Sequence, residues 1–121
     1  MGTSYTLANV TKKETIYFKN LPACKTMEIT GTPAASAIVT WYLLQNRGDM
    51  IGFVALDYED WPFPEGSRKE FWDYAEVTEL YLNQLFEAGI LKDCGIQWQD
   101  EDNPDYFTRD IRNAWVPKEW L

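Results

Sequence analysis

The 121-residue chain contains no histidine. That removes the usual general base near neutral pH, the imidazole metal ligand and every Ser-His or Cys-His nucleophile arrangement. Any catalysis is left to carboxylates, lysine, tyrosine or cysteine. Cysteine is scarce as well: Cys24 and Cys94 are too few and too far apart for a disulfide scaffold or a zinc site, and two buried free thiols are the default expectation. No stretch approaches the roughly 18 apolar residues that cross a bilayer, and the N-terminus lacks a basic start followed by an apolar run. The expectation is a cytoplasmic protein with no membrane partner, no cofactor and no metal. There is no low-complexity tract and no repeat with a period of roughly 20 to 50 residues.

Positive charge is the remaining deficiency. Eleven Lys and Arg stand against nineteen Asp and Glu, a formal net charge of -8. Coulomb repulsion opposes contact with phosphate backbones and anionic lipid, which argues against nucleic acid as a partner. The imbalance is uneven: residues 1–56 carry +2, residues 57–110 carry -11 and residues 111–121 carry +1. An acidic second half on a near-neutral first half makes a directional field that steers a cationic partner to one side.

What is present is ordinary globular material, 45% apolar and 25% charged, in a length that predicts one domain over residues 1–121. Residues 4–8 and 15–18 place Tyr5, Leu7, Ile16 and Phe18 at alternate positions, the pattern of two strands joined as a hairpin. A short helix is predicted over 22–30, ended by Gly31. Thr32-Pro33 then starts a helix to about Asn46, through a threonine hydroxyl cap and a proline with no amide to leave unpaired. Its apolar residues surround nearly the whole circumference, which places it at the centre of the core. Arg47-Gly48-Asp49 resembles an integrin-recognition tripeptide but sits where this helix needs its stop.

Residues 50–56 form a continuous apolar run that reads as a buried strand, and two prolines make 58–66 a loop. Ser67 to Glu70 matches a capping box, followed by either one bent helix or a short turn and a helix over 76–88. That second helix turns Val77, Leu80, Tyr81, Leu85 and Ala88 inward and Glu76, Glu79, Asn83 and Glu87 outward. Gly89 stops it. Residues 95–99 alternate, predicting a strand with Ile96 and Trp98 facing inward, and 100–105 are an acidic turn. The ending, 106–121, predicts a last strand or short helix and a docked tail.

The fold class these elements imply is α+β: a small, mainly antiparallel sheet, with a mixed sheet as its variant. The sheet takes the N-terminal pair, the 50–56 run and the 95–99 run, and packs on the apolar helix with the acidic helix beside it.

No constellation identifies a reaction. The acidic turn fails as a calcium loop, because Pro104 and Asp105 occupy its fifth and sixth positions and Ile111 stands where a bidentate glutamate belongs. Asp57, Glu59 and Asp60 follow a predicted strand, a place where carboxylates can serve acid-base or metal chemistry, and a small hydrolase pairing them with the acidic turn is one alternative. Trp61 and Phe63 lie beside them in a proline-broken loop. They either cap the edge of the core or supply apolar anchors ringed by charge. The stretch 77–99 has the helix, stop and strand order of a winged helix, but its glutamates oppose phosphate.

The leading expectation is a non-catalytic interaction protein of the inhibitor or immunity type that docks on a basic protein. Asp57, Glu59, Asp60, Glu76, Glu79 and Glu87 supply the charge, with Trp61 and Phe63 as anchors. A self-associating structural subunit is the second alternative.

Overall fold

A computed structural model describes residues 3–23 and 25–115. The chain is α+β. Its order is β1 (Tyr5–Asn9), β2 (Glu14–Ile16), α1 (Thr26–Gly31), α2 (Pro33–Gln45), β3 (Ile51–Ala55), α3 (Arg68–Phe71), β4 (Ala75–Glu76), α4 (Thr78–Glu87), β5 (Leu91–Gln99) and β6 (Phe107–Asn113). The first four strands form one sheet in the order β3-β1-β2-β4. β1 is antiparallel to both β2 and β3, while β4 runs parallel to β2, so the sheet is the mixed variant.

Alternation along the hairpin gives the sheet two different faces. Leu7 and Ile16, paired across the ladder, face the main core with Ile38 and Tyr42 of α2 and Leu82 and Leu85 of α4. Ala8 and Val54 face the other way, into a second core with Phe71 and Tyr74, closed by Leu56, Trp61 and Phe63 from the loop after β3. That loop therefore forms a lid over one sheet face. Two glycines admit it: a Cβ at Gly52 of β3 would stand 3.2 Å from the Phe63 ring, and Gly66, at φ +73°, approaches Trp61 as closely. Arg68 fastens the lid by donating to the carbonyls of Ala55, Asp60 and Leu56.

Several expectations are corrected. Residues 95–99 do not join the main sheet; they belong to β5, which among the described residues pairs only with β6, in a separate two-stranded sheet. Ile96 and Trp98 point outward, 54% and 57% exposed, because β6 is the strand that lies against the body, with Ile111 in the main core and the Arg109 amide bonded to Asn20, while β5 beyond Leu91 is the uncovered outer strand. For the same reason Cys94 is an exposed free thiol; Cys24 lies outside the described residues. The 50–56 run is an edge strand with only Val54 and Ala55 buried. α1 runs through Gly31, and Thr32 caps neither helix with its hydroxyl. α2 buries one side only, leaving Leu43 and Leu44 exposed. α4 begins at Thr78, so its buried line is Thr78, Tyr81, Leu82 and Leu85, and Leu80 faces outward. Pro117 and Trp120 of the expected tail lie outside the described residues.

A polar network closes one end of the main core. Buried Asn9 accepts from the Lys12 amide and donates to Asp49, and Lys12 Nζ bridges Asn46 and Asp49. Asn46 donates to Tyr81 Oη, and Tyr42 Oη donates to Glu14. Donation from Asn9, then from Lys12, holds the Asp49 carboxyl below its ordinary 3.8. A carboxyl lowered on folding contributes stability above its unfolded value and loses it as pH falls through the folded value. Asp49→Asn should therefore lose less Tm than the parent chain as pH falls below the ordinary carboxylate value and through the lowered Asp49 value. Equal losses in the two thermal melts would show that Asp49 does not couple to folding.

Candidate interaction surfaces

The acidic residues expected to form one patch occupy three separate elements. Asp57 accepts the Ser4 amide at 2.7 Å and Asp60 accepts the Ala55 amide at 3.3 Å, so both help attach the lid to the sheet. Glu59 and Asp60 share a cavity with Trp61, Trp72 and the cationic Arg68 and Lys69. No residue of the 100–105 turn lines it, so the two carboxylate groups of the hydrolase alternative do not meet there.

Trp61 and Phe63 are half-buried. Their rings sit edge to face at 5.1 Å, and Trp61 Nε1 donates to the Glu65 carbonyl. Both belong to the lid over the second core. Ring burial and the indole hydrogen bond together satisfy the apolar and polar parts of the side chain, which is how large aromatics settle in a core edge.

Glu76 is not on α4, contrary to the sequence reading. It lies in β4, and its Oε1 accepts both the amide and the hydroxyl of Thr78, capping the helix that follows. Glu79 is on α4 but is paired: Arg109 of β6 donates to it at 2.7 Å and to Asp93 at 2.9 Å, with its guanidinium 5.8 Å from the Phe86 ring centre. The Asp93 carboxyl is held low by the Gly95 amide and then by Arg109. This cluster ties the root of the ribbon to α4. Glu87 remains exposed at the end of α4.

The free end of the ribbon is different. Asp100, Glu101, Asp102 and Asp105 lie in the connection between β5 and β6, and among the described residues none of them is in an ion pair. Asp100 Oδ1 accepts the amides of Asp102 and Asn103, and Asn103 Oδ1 accepts that of Asp105, so side chains shape the turn from within. On either side stand Trp98, 57% exposed, and Tyr106, 66% exposed. Large exposed rings next to carboxylates with no ion pair among the described residues, at the turn of the ribbon, make an accessible amphipathic surface.

Sequence reasoning missed this tip. Trp98 alternates with polar neighbours as an inward-facing residue would, and the turn reads from sequence as a failed calcium loop or as half of a carboxylate pair. Among the described residues no group of three or more Cys, Asp or Glu is arranged to hold a metal ion, and no helix is long and apolar enough to cross a membrane. Comparison with protein-family models, with curated proteins and with solved structures finds no match for this chain.

Proposed function

We propose that this protein is a non-catalytic, acidic interaction module that occupies a basic surface on another protein, as inhibitors and immunity-type proteins do. The ribbon tip is its leading contact. The observation that carries this reading is the group of four unpaired carboxylates between two exposed aromatic rings. Unpaired charge of one sign accelerates encounter with a surface of the other sign, and the rings supply the apolar area that slows dissociation. The net charge of -8 adds long-range attraction in the same sense.

The test is capture from native lysate with the parent chain and with a tip variant carrying Asp100→Asn, Glu101→Gln, Asp102→Asn and Asp105→Asn. The captured protein should have a basic contact surface. Its affinity should fall at least about tenfold in the variant, and the parent's affinity should weaken steeply as salt rises from about 0.05 M to about 0.5 M. A partner held equally by both proteins would overturn the assignment to the tip. A parallel variant neutralising Asp57, Glu59 and Asp60 separates the lid from the ribbon.

One observation favours a second reading. Among the described residues β5 is a nine-residue strand bonded on one edge only, and an open edge carrying exposed Ile96 and Trp98 can pair with a second copy. Light scattering over a range of concentrations decides it: a constant monomer mass removes the self-associating subunit.

A further inference from the structure

The lid covers only part of its sheet face. Where it stops, a cavity of about 300 Å³ opens between the sheet and the segment from α3 to β4. Thr6 and Thr15 of the hairpin form its nearly buried floor, and Leu56 closes one side. Phe71, Trp72 and Tyr74 line it from the α3 segment, with Phe71 at 5.3 Å from Trp72 and 5.5 Å from Tyr74 between ring centres. Tyr17 and Glu76 complete the lining, and the Tyr17 and Trp72 rings are more than half exposed.

Apart from the Glu76 carboxylate, the polar groups of this cavity are neutral: the Thr6 and Thr15 hydroxyls, the Tyr17 and Tyr74 hydroxyls and the Trp72 indole N–H, with Tyr74 Oη buried and without a hydrogen-bond partner among the described residues. Thr15 Oγ1 can donate to the Leu7 carbonyl, and Thr6 Oγ1, 3.0 Å from Thr15 Oγ1, can donate to it or to the Ile16 carbonyl, so the hydroxyl hydrogens of the floor are spent within the sheet. Glu76 spends one carboxylate oxygen on Thr78, and its other oxygen has no hydrogen bond among the described residues. Four aromatic side chains line the cavity, of which Tyr17 and Trp72 are the exposed ones and Phe71 and Tyr74 are nearly buried, and an aromatic ring attracts a cation placed over its face. Trp72 already attracts a cation, with the Arg68 guanidinium 5.3 Å from its ring centre, and Arg68 does not line this cavity. An anion finds no positive group in the lining. A primary ammonium is strongly hydrated and needs acceptors for three hydrogens, which a mostly apolar wall does not supply. A methylated ammonium is weakly hydrated, has an apolar surface and still carries its charge.

We infer that this cavity is a binding site for an alkylated ammonium group, either a free quaternary amine or a methylated lysine side chain, held by the rings of Tyr17, Phe71, Trp72 and Tyr74 and by the Glu76 carboxylate. Its volume lies at the small end for ligand sites, which suits a head group of this size. The site is separate from the ribbon tip, so either can fail without the other.

The experiment is an NMR titration of the labelled protein with choline, with its uncharged isostere 3,3-dimethylbutan-1-ol, and with N-acetyl-trimethyl-lysine amide, at constant ionic strength. Saturable shifts are expected at the Trp72 indole and at the amides of Thr6, Thr15 and Tyr17. Choline should bind at least about fivefold more tightly than the isostere, the size of a cation-ring interaction at a half-exposed site. Trp72→Ala and Glu76→Gln should each weaken choline about threefold or more. Trp72 is exposed, and glutamine keeps an acceptor for Thr78, so both variants should fold. The tip variant should bind choline as the parent does. Tighter binding of the trimethyl-lysine derivative assigns the group to a protein partner, and tighter binding of choline assigns it to a free amine. Equal affinity for choline and its isostere, or shifts that never saturate, would overturn the proposal.

Discussion

Phe71→Ala should lower the unfolding free energy by about 3 to 5 kcal/mol, the usual cost of removing a buried phenyl ring. Phe71 is 4% exposed and is the hub of the second core, with its ring centre 5.3 Å from Trp72, 5.5 Å from Tyr74 and 6.0 Å from Trp61. Truncation removes the transfer energy of the ring, leaves a cavity, and deletes aromatic contacts worth about 0.5 to 1.5 kcal/mol each. A domain of this size has about 5 to 15 kcal/mol in total, so the loss is a large share. Because the two cores rest on opposite faces of the same strands, urea denaturation followed by near- and far-ultraviolet circular dichroism should give one shared midpoint, shifted down. If near-ultraviolet signal is lost first, the lid unfolds as its own unit. A cost under about 1 kcal/mol would mean that the second core contributes little to the fold. Phe71→Leu retains most of the volume and should cost distinctly less.

Leu82→Ala is the matching change in the main core and should cost about 2 to 5 kcal/mol. Leu82 is fully buried on the α4 face that meets α2, among Ile38, Tyr42 and Leu85. Its neighbours are fixed on both sides: Tyr42 stacks edge to face on Tyr81 at 4.7 Å, and Trp41 Nε1 donates to Gln84 at 2.8 Å. They cannot collapse into the space, which places the cost toward the upper part of that range. The same denaturation series reads it. A cost close to that of an exposed α4 change such as Glu87→Ala would contradict the buried placement.

The elements legible in the sequence are those that local signals specify. The hairpin, α2 and the loop over 58–66 follow from local signals: alternation at Leu7 and Ile16, proline at the start of α2, and the prolines that break the loop. The Ser67 side chain accepts the Glu70 amide as its spacing implied. Glu76 was misread because its spacing from Glu79 and Glu87 fits a helix face. The chain instead bonds Ala75 N to Lys13 O and Val77 N to Thr15 O, long-range contacts that a local pattern does not contain. Trp98 was misread for a related reason. Period-two alternation says that a strand has two unlike faces, and it does not say which one another layer covers.

Composition and periodicity alone determined that this chain is acidic, lacks imidazole chemistry and builds an α+β fold from a hairpin, an apolar helix and an amphipathic one, because those properties depend on residue type and short-range spacing. Only the tertiary structure decided that the loop after β3 roofs the second face of the sheet, that β5 and β6 pair as a ribbon outside the main sheet, and that the carboxylates of its turn have no ion pair among the described residues. Burial and charge pairing are relations between segments distant along the chain, set by which faces come together.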